Sequence, residues 1–244
     1  YLQRLENHFK WFSFAEGIVK ADNRKILIID GQMAFTGVSN LGDRFLTLDS
    51  FHDVMLQLYG PIVREIQQAF IDNWLENSEK KYSEHWYLKN LSSLRQWAHY
   101  NALRFNCSLA TAALLQTSDT RNDIESGILH LIHKAQKTIY IEHAYFFHPP
   151  TLKALTEALQ RDVTIHIMIP EKSNVELFNL PNTDNLRQLM ETQQAFQRGL
   201  VHAYLYSGRQ GTWGYMAHTK AISVDELHAI VGSANLTHRS LKSP

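Results

Sequence analysis

Cysteine is nearly absent from this sequence of 244 residues: Cys107 is the single example. That excludes an internal disulfide framework and a cysteine-rich zinc site. No His/Cys/Asp/Glu grouping has convincing metal-ligand spacing, so neither a metal nor another cofactor is expected. Net charge is also missing, because 24 Lys+Arg balance 24 Asp+Glu. A general nucleic-acid binder usually carries a basic excess, so nucleic acid is an unfavoured partner, although a local basic groove stays possible. No apolar run approaches the roughly 18 residues of a membrane span. The longest are Ile26–Ile29 and Leu109–Leu115. No secretory leader pattern is present. The chain begins at Tyr1 rather than Met, which suggests a fragment or processed form.

The 44% hydrophobic and 20% charged residues are those of an ordinary globular protein. Short apolar strands alternate with helical stripes. Lys25–Asp30 ends at Gly31, and Phe51–Tyr59 alternates like a strand. Gly60-Pro61 opens a helix, with Ile62, Ile66, Ala69, Phe70 and Trp74 on one face. Residues 79–98 are polar and strand-poor and read as a connection. It separates a first unit at 1–78 from a second at 99–244. In the second unit a stripe Ile124, Ile128, Leu131, Ile132, Ala135 precedes a strand at Thr138–Glu142. A helix at Thr151–Leu159, a strand at Val163–Ile169, a helix at Asn185–Arg198 and a strand at Leu200–Tyr206 follow. Two more strands are expected at Lys220–Val224 and Ala229–Val231. Such alternation predicts an α/β sandwich.

One long-range repeat stands out. His218-Thr219-Lys220 is followed by Asp225, Gly232, Ser233 and Asn235; Asn23-Arg24-Lys25 is followed by Asp30, Gly37 and Asn40. The Lys–Asp–Gly–Asn spacings are identical in the two copies. On a strand, residues i and i+2 share a face, so His218 projects with Lys220 and Asn23 with Lys25. An imidazole beside an ammonium fits attack on phosphorus, with histidine as nucleophile or general acid. The lysine places charge where phosphoryl oxygens become negative. Asn40 and Asn235 can donate to those oxygens, and Gly37 and Gly232 would allow close backbone approach. Asp30 and Asp225 lead into turns and are expected to be structural. Among the other histidines, His130 and His133 are expected at a helix surface and His166 packed in a strand. His143 and His148, flanking Tyr145-Phe146-Phe147, are candidates to border the site.

The two stretches resemble the paired HxKxxxxDxxxxxxG(G/S)xN motifs of the phospholipase D superfamily. Further likeness to the bacterial cardiolipin synthases lies in Phe51-His52-Asp53, Leu56–Pro61 and Trp74, in Ile141-Glu142 and Tyr145-Phe146, and in Gly232–Leu236 with Arg239-Ser240-Leu241. It covers most of the chain. It implies a phospholipase D-like α/β/α sandwich of two pseudo-symmetric halves with mixed sheets. One histidine would form a covalent phosphohistidine and the other would protonate the leaving alcohol. Water as acceptor gives hydrolysis; phosphatidylglycerol gives cardiolipin. Glycerophospholipid is the implied substrate, with peripheral membrane contact. Ser233, Glu142 and Tyr145 are the implied substrate-binding positions, and Asp53 is the candidate carboxylate that orients a histidine.

The sequence departs from the family at Asn23, which stands where the first histidine belongs. Asparagine is neither a phosphoryl nucleophile nor an acid near neutral pH. An engineered inactivation or a naturally degenerate motif accounts for it, whereas the spacing leaves no slack for misalignment. Either way the chain as written is expected to be inactive or impaired. Val38 is a minor departure. Family members carry a long segment before the first motif, whereas 22 residues precede Asn23 here. Another segment or chain is therefore expected to complete the N-terminal half. The loops Phe146–Pro150 and Trp213–Met216 suit contact with lipid chains if they are exposed. Two other readings stand beside the lipid enzyme: a nuclease using the same phosphohistidine chemistry, and a non-catalytic module that binds phospholipid headgroups.

Overall fold

The computed structural model describes residues 23–42, 45, 51–77, 110–118, 120–208 and 216–242. The connection expected at 79–98 lies outside them.

The first unit is an antiparallel meander of β1 (Ile26–Ile29), β2 (Met33–Gly37) and β3 (Met55–Tyr59), backed by α1 (Pro61–Asn77). Alternation places Ile26, Ile28, Ala34 and Leu58 on one face, where they pack against Ile62, Val63 and Ile66. Leu114, far along the chain, joins the same cluster. The stripe expected on α1 needs correction. Phe70 and Trp74 are exposed, stacked on each other at 6.1 Å, and Val63 and Ile71 are buried instead.

The second unit begins with a small hairpin, β4 (Thr117–Ser118) and β5 (Arg121–Asn122), then α2 (Asp123–Lys134). It continues as β6 (Thr138–His143), α3 (Pro149–Leu159), β7 (Thr164–Pro170), α4 (Asn179–Glu191), β8 (Val201–Tyr206), β9 (Lys220–Val224), β10 (His228–Val231) and α5 (His238–Lys242). The strands form one mixed sheet in the order β10-β9-β6-β7-β8, parallel across β6, β7 and β8 and antiparallel elsewhere. Ile139, Ile141, Ile165, Ile167, Ile169, Ile222 and Val224 turn to one face and meet Ile132, Leu155, Leu189 and Leu241 from the helices. This apolar layer is the main core. The opposite face carries a ladder in which Tyr140 stacks on His166 at 4.7 Å and His166 on His202 at 4.5 Å. His166 is thus half-buried in a stack rather than packed in the core. Burial, aided by His202, lowers its pKa.

The fourth helix also needs correction. It starts at Asn179, not Asn185, and stops at Glu191. Gln193 and Gln194 have φ of 50° and 55°, which no helix continues through. Leu180 and Pro181 open it, a position where proline costs no hydrogen bond.

The sequence repeat is a structural repeat. Each copy is a hairpin, with Ile29 opposite Met33 and Val224 opposite His228. Asp30 and Gly31 have φ of 52° and 65°; Asp225 and Glu226 have 54° and 59°. Asp225 accepts from the backbone N–H groups of Gln136, Lys137 and Thr138 at 2.9, 2.8 and 2.9 Å. Burial pulls its pKa up, but those three donors outweigh it and hold the carboxyl below its ordinary value. Asp225→Ala should therefore destabilise the fold by about 1 kcal/mol, the usual net worth of hydrogen bonds at a solvent-accessible turn, read by chemical denaturation at pH 7. The folded pKa is depressed, so this contribution is present above the ordinary carboxylate range and lost as pH falls through the folded value.

Candidate active site

The second motif lies where β9 begins, beside the carboxyl end of β6. The backbone of Ala217 bridges His52 of the first unit. His52 N–H donates to the Met216 carbonyl at 3.0 Å, and His218 N–H to the His52 carbonyl at 2.8 Å. This short cross-unit bridge carries Phe51 and Asp53 to one side. The Phe51 ring lies 5.4 Å from the His218 ring, with Phe45 at 5.6 Å. The Asp53 carboxylate reaches His218 Nδ1 at 3.4 Å, and Ser39 Oγ donates to it at 3.4 Å. The candidate carboxylate of the first unit thus faces the histidine of the second. With Asp53 on Nδ1, Nε2 is the nitrogen left for chemistry.

Lys220 Nζ lies 3.3 Å from that Nε2 and donates to the His218 carbonyl at 2.7 Å. Burial pushes the Lys220 pKa down to about 7; Asp53 opposes this and Lys25 adds to it. The two motif lysines therefore feel one another across the units. Asn23 Nδ2 donates to the Ser233 carbonyl at 3.1 Å, joining the start of the first motif to the loop that ends the second. Lys25 Nζ donates to the Asn23 carbonyl at 2.8 Å and to its side-chain oxygen. Asn40 is exposed on its loop; Asn235 is half-buried, with its side-chain oxygen inaccessible. Imidazole, two ammonium groups and amides gathered in this way suit an anionic phosphodiester.

The two motif glycines differ. A Cβ on Gly37, whose φ is 156°, would meet the Val54 carbonyl oxygen at 2.4 Å. Gly232 has open space, so close approach explains the first and not the second. The reason is topological: β3 runs beside Gly37, and no described strand takes that place beside Gly232.

Other expected site residues lie elsewhere. Glu142 pairs with His52 Nε2 at 2.9 Å, and His52 stacks on Tyr206 at 5.3 Å. Strand alternation puts His52 and Glu142 on the side opposite Asp53 and His143, away from His218. Tyr145 is buried, its hydroxyl donating to Asn174 at 2.7 Å and its ring against Phe147 and Phe178. It packs in an aromatic wall. The aromatic loop is likewise buried at Phe146 and His148, so these two residues pack within the fold. His148 belongs to Glu125 at 3.2 Å and Thr151 at 2.9 Å, outside the site. His143 does border it, buried beside Lys220. Met216 is buried, and Trp213–Tyr215 lie outside the described residues.

Sequence reasoning missed Asn182 and Asn185. Asn182 accepts from Phe146 N–H at 2.7 Å and donates to the Ala144 carbonyl at 3.2 Å; Asn185 donates to the Phe146 carbonyl at 3.0 Å. Together they clamp the loop that follows β6. Two asparagines three apart on a polar helix were the available signal.

Known proteins resemble this chain. The family profile "Cardiolipin synthase, PLD-like domain" matches residues 128–243. Cardiolipin synthase 1 of Staphylococcus aureus (strain MRSA252) is 28% identical over 225 residues, covering 91% of this chain and 41% of the relative. Cardiolipin synthase of Listeria welshimeri is 27% identical over 226 residues, covering 91% and 42%. The chain thus spans about two fifths of the length of these curated relatives. Phosphatidylserine synthase of Haemophilus influenzae Rd KW20 aligns in structure with a TM-score of 0.61 at 16% identity, over 90% of this chain and 55% of that one. At that identity the likeness is one of fold.

Proposed function

Because the cardiolipin synthase profile matches residues 128–243 and cardiolipin synthases align over 91% of the chain, we propose that the chain belongs to the phospholipase D superfamily and is part of a phosphatidyltransferase acting on glycerophospholipids. The observation that carries this is the meeting of Asp53, His218 and Lys220 across the two units. His218 Nε2 attacks phosphorus, an N–P bond forms, and the P–O bond to the leaving alcohol breaks. The released alkoxide takes a proton, which a histidine at position 23 would supply. Water or an acceptor alcohol then gives its proton to that histidine and attacks phosphorus, the N–P bond breaks, and the His218 imidazole is regenerated. Lys220, Lys25 and the motif amides hold the phosphoryl oxygens throughout. Asn23 leaves the acid role unfilled, so the chain as written is an impaired form.

Peripheral membrane contact fits the same end of the fold. Leu41 is 97% exposed, Leu177 84% and Leu180 68%. Leu41 follows Asn40 directly, and Leu177 and Leu180 flank Phe178 of the aromatic wall around Tyr145. The outer face of the meander, with Leu27, Ile29 and Met55 exposed, fits cover by a segment beyond this chain or by another chain.

The test is the full-length protein carrying Asn23→His, incubated with phosphatidylglycerol or phosphatidylethanolamine vesicles and read by mass spectrometry. Cardiolipin or phosphatidic acid is expected. Vesicle co-sedimentation should weaken when Leu41, Leu177 and Leu180 become serine. No lipid product, together with cleavage of single-stranded DNA, would replace the lipid reading with a nuclease.

A further inference from the structure

His143 is the last residue of β6 and stands directly opposite Lys220 in the antiparallel pair with β9. Side chains opposed in this way share a face, with Cβ atoms about 5 Å apart. His143 is 2% exposed and Lys220 4%. Burial first, then the nearby Lys220 ammonium, holds the imidazole pKa well below its ordinary value; the backbones of Tyr145 and Ala234 pull weakly the other way. The ring is therefore neutral at neutral pH, with one N–H and one lone pair. Its Nδ1 is buried and has no hydrogen-bond partner among the described residues.

Lys220 has the complementary need. Its bonds to the His218 carbonyl and to His218 Nε2 account for two of the three ammonium protons. The second bond cannot survive the reaction. The Nε2 lone pair that accepts from Lys220 is the one that forms the N–P bond. At that moment the ammonium faces the phosphoryl oxygens, and keeping it aimed there calls for another protein acceptor in place of Nε2.

We propose that His143 is a positioning residue for Lys220: its buried Nδ1 lone pair accepts an ammonium proton and keeps the lysine directed at the phosphoryl oxygens while His218 Nε2 is bonded to phosphorus. This rests on the phosphohistidine reading above. A histidine that merely fills space under β6 would leave the lysine unaffected by its replacement with a residue of similar volume.

The groups facing Lys220 are His218, His143, Asp53 and Lys25, so its titration reports on this cluster. The protein as written, carrying 13C-labelled lysine, would be titrated by NMR, with the Lys220 signal assigned through Lys220→Arg. His143→Leu should weaken proton binding at Lys220 about tenfold, the effect of losing one hydrogen bond to a charged group. His143→Gln keeps an acceptor and should restore the midpoint to within about twofold. In the Asn23→His background, His143→Leu should lower kcat with little change in KM and move the alkaline limb of the rate to lower pH. An unchanged Lys220 midpoint in a folded His143→Leu protein overturns the proposal. Should that variant not fold, the 15N shift of His143 Nδ1 in the protein as written decides, because it must move as Lys220 titrates. If the Asn23→His parent makes no lipid product, the phosphatidyl reading fails while the two NMR titrations still judge His143.

Discussion

Asn23→His should raise phospholipid turnover by about 10²–10⁴-fold, the usual worth of a positioned general acid and base. Asn23 sits where a proton must be delivered, yet its amide holds the Ser233 carbonyl and the Lys25 ammonium, and an amide does not ionise near pH 7. The rest of the apparatus is in place, since His218, Lys220 and Asp53 meet without position 23. The deficit should therefore depend on the leaving group. An alkoxide cannot depart without a proton, but a 4-nitrophenolate can. The protein as written should release one equivalent of 4-nitrophenolate from bis(4-nitrophenyl) phosphate and stall with a 4-nitrophenyl phosphoryl group on His218, which intact-mass measurement would show. In the Asn23→His protein the rate should fall as pH rises through about 7, because Lys220 is charged only below that value. Equal rates for the two proteins with both alkyl and aryl substrates would show that position 23 is not the acid.

The second large effect belongs to Asp53. Asp53→Asn in the Asn23→His background should reduce kcat by about 10²-fold or more while KM changes little, as expected when the group that orients a catalytic imidazole is lost. The carboxylate faces His218 Nδ1, fixing that nitrogen as the protonated one and stabilising the ring as it gains charge. An amide keeps the shape and loses the charge. Asp53 also favours the Lys220 ammonium, so its removal should carry the Lys220 midpoint below about 7 and shift the alkaline limb downward. Matched kcat values and matched pH limbs in the two proteins would remove Asp53 from the orienting role.

Much of this was legible before any coordinate was known, because it depends on short-range pattern. Strand alternation and helical stripes located β6, β7, β8, β9 and β10, since one face of each element must meet the core. The two motifs announced themselves by equal spacing, and the equal spacing reflects equal hairpins: the same turn needs the same positive-φ pair after the same number of strand residues. Asn23 was visible for the same reason, as a break in a pattern whose Lys–Asp–Gly–Asn spacing otherwise holds.

What the sequence could not determine are pairings between distant residues. Asp53 and His218 are 165 positions apart, and a single backbone bridge between His52 and Ala217 joins them. No periodicity predicts that bridge, because it has no neighbours in its own strand. The sequence left the aromatic loop open between an interface and packing; in the fold Phe146 is buried, and Asn182 and Asn185 satisfy its backbone from a helix thirty-odd positions away. His143 shows the same division. Its place on a strand followed from alternation, but its value comes from facing Lys220 across β9. Local chemistry wrote the elements and the motif, and the tertiary structure alone chose their partners, since a hydrogen bond depends on distance in space and not on separation along the chain.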